Sequence, residues 1–207
     1  MKNKLWPLAI LVSIFIFNDL LFIHIRSYVC WLTVDYGSRA LAIFFSIYLI
    51  KTRKSTIADF GFVKMPLRTF MFWAAALSVT GILIDQLVGA FFQKIMPPTA
   101  LAHFPKIDNG IIKALDLSAG MLLVSVSEEA VFRGYFFSAA KGRMKNTAVF
   151  VAVSCAVFGL IHWSSGLDAV ITTAIWGILP MVSVMRTGSI LPALVAHYVT
   201  DFVCFVK

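Results

Sequence analysis

Long apolar runs alternate along this chain with short stretches that hold most of the charged and turn-forming residues. A run of about 20 apolar residues can cross a bilayer as a helix, and helical spans satisfy their backbone polar groups within the segment. The pattern therefore predicts about seven transmembrane helices, over residues 5–25, 28–50, 69–92, 111–140, 147–163, 168–185 and 189–206.

The predicted helices are joined by short turns, with one longer connection over residues 93–110. Near the start of this connection Met96-Pro97-Pro98 ends the preceding helix, and near its end Asp108-Asn109-Gly110 is a turn sequence. No repeat or composition change divides the chain. We therefore predict a single membrane domain over residues 1–207.

Composition supports the membrane assignment. The chain is 60% hydrophobic and 14% charged, whereas soluble domains average about 45–50% apolar and about 25% charged residues. The predicted fold is accordingly an all-α, polytopic transmembrane helical bundle whose main partner is the lipid bilayer. The three cysteines, Cys30, Cys155 and Cys204, lie far apart and are expected to be buried small hydrophobes.

The net charge of +8 reflects basic clusters between the spans rather than a surface for nucleic acid. Arg39 and Arg133 lie inside predicted spans, and the other Lys and Arg residues are unevenly divided between the two sides of the membrane. This division predicts a multi-pass protein of the cell membrane with a cytoplasmic N-terminus, or an even number of spans if the first segment is re-entrant. Eleven basic residues fall on the predicted cytoplasmic side (Lys2, Lys4, Lys51, Arg53, Lys54, Lys64, Arg68, Lys141, Arg143, Lys145, Arg186) and five on the other (Arg26, Lys94, Lys106, Lys113, Lys207).

The only two glutamates of the chain, Glu128 and Glu129, are adjacent and lie inside an apolar run. A charge at this depth costs on the order of 3 kcal/mol, so it usually faces a partner or a water-filled cavity. Glu129 and Arg133 share a helix face at i,i+4 spacing, whereas Glu128 points about 100° away. A structural ion pair with a polar helix contact explains this stretch as well as a catalytic site does.

Two further predicted helices carry ionisable side chains at a similar depth. Counted at about 1.5 Å per residue from the cytoplasmic ends, Glu128 and His162 lie roughly 20–22 Å deep, and His197 and Asp201 roughly 13–19 Å deep. A carboxylate and an imidazole can deprotonate water, and a second imidazole with a carboxyl group can stabilise an oxyanion. The same four side chains, Glu128, His162, His197 and Asp201, could instead bind a divalent metal such as zinc.

Three motifs on successive segments resemble those of the CPBP family, which comprises CAAX proteases and bacteriocin-processing enzymes and is also called the Abi family. They are Glu128-Glu129-x-x-x-Arg133, Phe158-x-x-x-His162 and His197-x-x-x-Asp201. The resemblance covers roughly residues 111–207, which would form the catalytic core, while residues 1–110 would supply N-terminal spans.

The resemblance implies an intramembrane endopeptidase of the glutamate type, without a metal cofactor. Glu128 and His162 would activate water, and His197 and Asp201 would line the oxyanion site. Glu129, Arg133 and Phe158 would support the site. Substrates would be membrane-associated or lipid-modified: prenylated C-termini, bacteriocin leaders or sorting tails.

Two other functions fit the same residues. Bacteriocin self-immunity proteins also resemble this family, and buried Glu, His and Asp are common in proton-coupled transporters. Transporters of that kind usually show pseudo-symmetric repeats, and this sequence shows none. Asp35 and Arg39, at i,i+4 spacing, are expected to form a neutralising pair, and we expect both of them and Asp85 to lie outside the Glu/His/Asp cluster.

Overall fold

The computed structural model describes residues 4–206; Lys2 and Lys207, which entered the charge count, lie outside this range. Between residues 4 and 206 the chain is helical and contains no β-strand, which confirms the all-α prediction. The helices are α1 (Leu5–Phe22), α2 (Tyr28–Lys51), α3 (Leu67–Ile95), α4 (Gly110–Arg143), α5 (Thr147–Leu160), α6 (Leu167–Thr187) and α7 (Leu191–Phe205).

Four of these helices, α1, α3, α4 and α6, are long and apolar enough to cross a membrane, and α5 and α7 are shorter apolar helices. A membrane-embedded helical protein is thus supported, while the count of seven spans stays a prediction. Helix ends differ slightly from those predicted: α1 ends at Phe22 and α5 at Leu160. Cys155 is buried as expected, but Cys30 in α2 is exposed and Cys204 in α7 is only partly buried, so the expectation was wrong for Cys30 and was not fully met for Cys204.

Helix α4 forms the centre of the bundle. Every residue from Ser127 to Phe136 is buried, and a π-helical turn occupies Glu129–Tyr135. Such turns are frequent at functional sites. The ring of Phe132 lies 5.0 Å from that of Phe15 in α1 and 5.6 Å from that of Phe158 in α5. These aromatic contacts pack α1 and α5 against α4 close to the glutamate pair.

The end of the bundle that carries most basic residues is closed by the connection between α2 and α3. A 3-10 turn, Ile57–Phe60, packs against α4, where the ring of Phe60 stacks on Tyr135 at 4.7 Å. Gly61 follows in the left-handed conformation, with φ at 78°, and its carbonyl accepts a hydrogen bond from Ile190 N at 2.9 Å. This end is therefore sealed by backbone and ring contacts.

A compact ion pair ties the start of α1 to this seal. Lys4 Nζ donates to Asp59 Oδ1 and to Ser138 Oγ, each at 2.7 Å, and Ser138 Oγ donates to Asp59 Oδ1 at 2.8 Å. Partial burial raises the pKa of the Asp59 carboxyl, but hydrogen bonds from Lys4, Thr56 and Ser138 outweigh it, and the net pKa is lowered. The carboxylate therefore stays ionised near neutral pH.

The opposite end is open. It carries the turn between α1 and α2, the loop 96–109 and the turn between α5 and α6. Leu101 N and Ala102 N both donate to Ser164 O at 2.8 Å, and Ser164 N donates to Asp19 Oδ2 at 3.0 Å. These bonds strap the loop and the α5–α6 turn onto α1, beside a cavity of about 470 Å³.

Candidate active site

The cavity at the open end collects the side chains that the sequence singled out. Glu128, His162, His197 and Asp201 all line it, together with Phe158. They come from α4, the turn after α5, and α7, so three parts of the chain converge on one space. Glu129 and Arg133 do not line the cavity; both are fully buried behind it. The four candidate residues therefore line one cavity.

Glu128 presents one half of its carboxylate to the cavity. Its side chain is 2% exposed, and Oε1 accepts a hydrogen bond from Arg39 Nη2 at 2.9 Å. Oε2 has no hydrogen-bond partner among the described residues, and His197 Nε2 lies 3.9 Å away. A buried acceptor without a partner is unfavourable, so this oxygen is suited to receive a hydrogen bond from a water or substrate group.

Arg39 corrects the expectation that α2 stays outside the cluster. Its predicted pair with Asp35 is present, with Nη1 2.7 Å from Asp35 Oδ1, but its second amino group binds Glu128. Asp35 also accepts from Asn18 Nδ2 at 3.4 Å. Asp35, Arg39 and Asp85 all line the cavity. The expectation was wrong because helix spacing reveals a residue's partners on its own helix only, and Arg39 has a second ion-pair partner, Glu128, on α4.

His197 is oriented by Glu129. Its Nδ1 lies 2.8 Å from Glu129 Oε1, and an ionised carboxylate can only accept, so Nδ1 carries the proton in this bond. Nε2 is then the ring nitrogen turned toward the cavity, 3.4 Å from Asp201 Oδ2. The glutamate next to the candidate base thus fixes the tautomer and direction of the second imidazole.

Glu129 also pairs with Arg133, as the i,i+4 spacing predicted, at 3.4 Å between Oε1 and Nη1. The guanidinium carbon lies 3.6 Å from the ring centroid of Phe158 and 5.1 Å from that of Trp176. Cation–π contacts of this kind gain strength when water is excluded. Phe158 therefore forms a platform that holds the buried charge close to Glu129.

His162 lies in the turn that follows α5, and its position is fixed locally. Nδ1 is 3.0 Å from the carbonyl oxygen of Phe158. A carbonyl only accepts, so Nδ1 donates, and Nε2 of the neutral ring keeps a free lone pair. The next residue but one, Ser164, is anchored to Asp19, which also lines the cavity.

Sequence reasoning missed Asn18, Asp19 and Arg39 as site residues. The signal was available, because polar side chains in two apolar helices indicate a polar surface facing them. What the sequence lacked was the packing that brings α1 and α2 against α4. Trp176 was also missed, and no pattern marks it: its ring lies 4.9 Å from that of His197 and contacts Arg133.

Acidic side chains are concentrated around the cavity. Of the ten acidic residues in the chain, seven line it, whereas Arg39 is the one lysine or arginine that does so among residues 4–206. The seven are Asp19, Asp35, Asp85, Asp116, Glu128, Asp168 and Asp201. The hydroxyl of Tyr36 donates to Asp116.

The four candidate side chains do not form a preformed metal-binding group. Within the described residues, no three His, Cys, Asp or Glu side chains are arranged to bind one metal ion. Glu128 Oε1 is bonded to a guanidinium and His197 Nδ1 to a carboxylate. A cation at Glu128 would lie next to the positive charge of Arg39.

Comparison with known protein families gave a match for the segment that carries the three motifs. The family model described as "Type II CAAX prenyl endopeptidase Rce1-like" matches residues 110–203. No curated protein and no solved structure matched the chain. The matched range contains all three motifs and agrees with the extent of the resemblance found in the sequence. Residues 110–203 are therefore similar to an Rce1-like CAAX prenyl endopeptidase domain, which is consistent with a protease of the CPBP family.

Proposed function

We propose that this membrane protein hydrolyses a peptide bond inside its cavity, with Glu128 as the general base. The family match supports intramembrane endopeptidase activity in general. The observation that carries the specific assignment is Glu128 Oε2, which is buried, has no hydrogen-bond partner in residues 4–206 and belongs to a residue that lines the cavity. Glu129 Oε2 also lacks a partner among the described residues, but Glu129 does not line the cavity, so Glu128 is the glutamate of the pair that can accept from a ligand there.

In the proposed reaction a water lies between Glu128 Oε2 and the lone pair of His162 Nε2. Glu128 takes a proton from the water as its oxygen attacks the scissile carbonyl carbon. The carbonyl becomes a tetrahedral oxyanion. The carbon–nitrogen bond then breaks, and the proton held by Glu128 passes to the departing amine. Arg39 orients the carboxylate through Oε1 throughout, because that contact does not involve the reacting oxygen.

His197 is the group best suited to stabilise the oxyanion. As an imidazolium it would donate from Nε2, while Nδ1–H stays bonded to Glu129. Asp201, as a carboxylate 3.4 Å from Nε2, would repel an oxyanion if it faced one directly. We therefore assign Asp201 to the stabilisation of charged His197 rather than to direct contact with the oxyanion.

This mechanism needs no metal ion. Its carboxylate, two imidazoles and water supply the base and the oxyanion donor, while the Arg39–Glu128 bond disfavours a second cation at Glu128. We expect purified protein to keep its activity after prolonged treatment with a strong chelator. Loss of activity that zinc restores would reassign Glu128, His162, His197 and Asp201 as metal ligands.

The substrate is best identified by comparing proteins released from membranes that contain wild type or Glu128→Ala. Prenylated C-termini, bacteriocin leaders and sorting tails are the candidate classes. A truncated product seen with wild type and absent with Glu128→Ala identifies the substrate. A peptide with that sequence, cleaved by purified wild type but not by Glu128→Gln, then confirms the activity. Equal cleavage by the two proteins contradicts the role of Glu128.

The proposed location is the cell membrane, with the basic end of the bundle in the cytoplasm and the cavity opening on the other side. Cys30 is exposed at the start of α2, near the open end, whereas Cys155 is buried. A membrane-impermeant maleimide added to intact cells should therefore label wild type and label Cys30→Ser much less. Labelling of Cys30 only after the cells are opened would reverse the proposed orientation.

A further inference from the structure

The charge of the cavity exceeds what the proposed chemistry requires. Seven carboxylates face one guanidinium and two imidazoles. The formal charge of these groups stays at −4 or below even with both imidazoles protonated. Peptide hydrolysis as described above uses Glu128 and Asp201 and positions Arg39 with Asp35. Asp19, Asp85, Asp116 and Asp168 have no part in it. Asp19 and Asp116 accept hydrogen bonds from Ser164 N and the Tyr36 hydroxyl, whereas the presence of Asp85 and Asp168 calls for another explanation.

Two of these unused carboxylates lie on neighbouring helices. Asp85 belongs to the π-helical turn Ile84–Gly89 of α3, which packs against the first half of α6. Asp168 lies in the first turn of α6. Asp85 accepts one hydrogen bond, from the exposed neighbour Gln86 at 3.3 Å, and Asp168 has no ion-pair or hydrogen-bond partner in the described chain. Neither has a basic partner.

A structural role explains only part of this arrangement. Asp168 near the N-terminus of α6 stabilises that helix through its dipole. That effect acts on each helix separately, however, and does not explain why seven of ten acidic residues line one cavity while almost all basic residues lie elsewhere. Uncompensated carboxylates in a confined space repel one another and attract a cation.

Aromatic rings and a buried acceptor that line the same cavity favour the same type of ligand. The rings of Phe22, Trp31 and Phe104 lie 5.7–6.2 Å apart and line the cavity. Aromatic faces attract ammonium and guanidinium groups. Asn18 is 2% exposed and lines the cavity too, and its Oδ1 has no hydrogen-bond partner among residues 4–206. It can accept a hydrogen bond from a ligand.

We propose that the part of the cavity lined by Asp85, Asp168, Asn18 and the Phe22–Trp31–Phe104 rings binds a positively charged segment of the peptide substrate. Lysine or arginine side chains would contact the two carboxylates, and their aliphatic stems or apolar neighbours would pack on the rings. That the bound peptide is a substrate rests on the proposed function; that it is cationic does not.

The test uses three fluorescent peptides of equal length that differ only in carrying two Lys, two Gln or two Glu residues in an otherwise apolar sequence. Binding is measured at low salt to full-length Glu128→Gln protein in phosphatidylcholine vesicles, so that neither turnover nor lipid charge interferes. We expect the Lys peptide to bind roughly tenfold more tightly than the Glu peptide. The difference should shrink as salt is added.

The affinity ratio is the affinity for the Lys peptide divided by that for the Glu peptide. Introducing Asp85→Asn and Asp168→Asn together into the Glu128→Gln protein should reduce this ratio to about twofold, and each single substitution should give an intermediate ratio. The matched control is Asp108→Asn, the same change in an exposed loop at the same end of the bundle, outside the cavity lining. It should leave the ratio unchanged. Melting temperatures measured for each variant show whether it is folded, and the single variants replace the double variant if that one unfolds.

Equal binding of the Lys and Glu peptides, no binding of the Lys peptide, or an equal ratio in the double variant and Asp108→Asn would each overturn the inference. Wild-type protein is then incubated with all three peptides. If binding depends on peptide charge but wild type cleaves no identified substrate, the proposed function is contradicted and this inference stands. If wild type cleaves all three peptides at equal rates, the proposed function stands and this inference is contradicted.

Discussion

The charged side chains at the two ends of the bundle differ in how completely they are hydrogen-bonded. At the closed end, Lys4, Asp59 and Ser138 form a complete triangle of short hydrogen bonds. At the open end, Arg39 and His197 approach the glutamate pair, yet Glu128 Oε2 keeps no partner within the described residues. The first arrangement ties three segments together. The second leaves a charged acceptor available, as a reactive site must, because a fully satisfied carboxylate cannot bind a water.

The largest effect is expected at Glu128. Glu128→Gln keeps an oxygen for Arg39 but removes the base, so kcat/KM should fall by about 10³-fold or more. The melting temperature should stay close to that of wild type, since Arg39 retains Asp35. Peptide cleavage and thermal unfolding of the same preparations measure both effects. Wild-type activity in this variant would show that the open acceptor is not the base.

The closed end should be sensitive to packing instead. A Cβ at Gly134 would clash with the carbonyl group of Phe60, so Gly134→Ala should destabilise the protein by about 3 kcal/mol. Gly37→Ala is the matched control, because nothing lies within 4 Å of the added atom and a helix-interior alanine is favoured by about 0.5–1 kcal/mol. Equal denaturation midpoints for the two variants would argue against a tight seal.

Comparing Glu129→Gln with Glu128→Gln separates the roles of the two adjacent glutamates. Loss of this carboxylate leaves Arg133 unpaired at full burial and weakens the hold on His197. We expect a loss of about 3 kcal/mol in the free energy of unfolding, together with a lower kcat. Denaturation and steady-state kinetics test this directly. A stable, fully active Glu129→Gln protein would remove Glu129 from both the ion pair and the orientation of His197.

The smallest effect should arise at Asp59, whose pKa is lowered by its hydrogen bonds. A lowered folded-state pKa stabilises the protein above the ordinary carboxyl value of about 3.9, and this stabilisation disappears as pH falls through the folded value. Asp59→Asn should therefore lower stability by less than about 1 kcal/mol near pH 6. The difference from wild type should shrink as the pH falls below the ordinary carboxyl value and through the lowered folded value, and thermal melts at decreasing pH test it. Cleavage should be unaffected, because Asp59 lies outside the cavity.

The length of the apolar runs correctly predicted the all-α fold, and local spacing correctly predicted the pairs Glu129–Arg133 and Asp35–Arg39. Both pairs join residues four positions apart, so helix geometry alone brings them together. Apart from Glu129 and Arg133, the residues of the three motifs line one cavity, which is expected because a polar side chain at membrane depth is costly unless it faces a polar space. The family match over residues 110–203 agrees with that interpretation.

Only the tertiary structure shows which helix faces which. Arg39 meets Glu128 across 89 positions, Glu129 meets His197 across 68, and Ser164 meets Asp19 across 145. Periodicity defines the polar face of one helix but carries no information about the helix that will pack on it. The motif residues could therefore be identified from the sequence. Arg39 as the partner of the candidate base, and the concentration of seven carboxylates in one cavity, became apparent only when the helices were packed together.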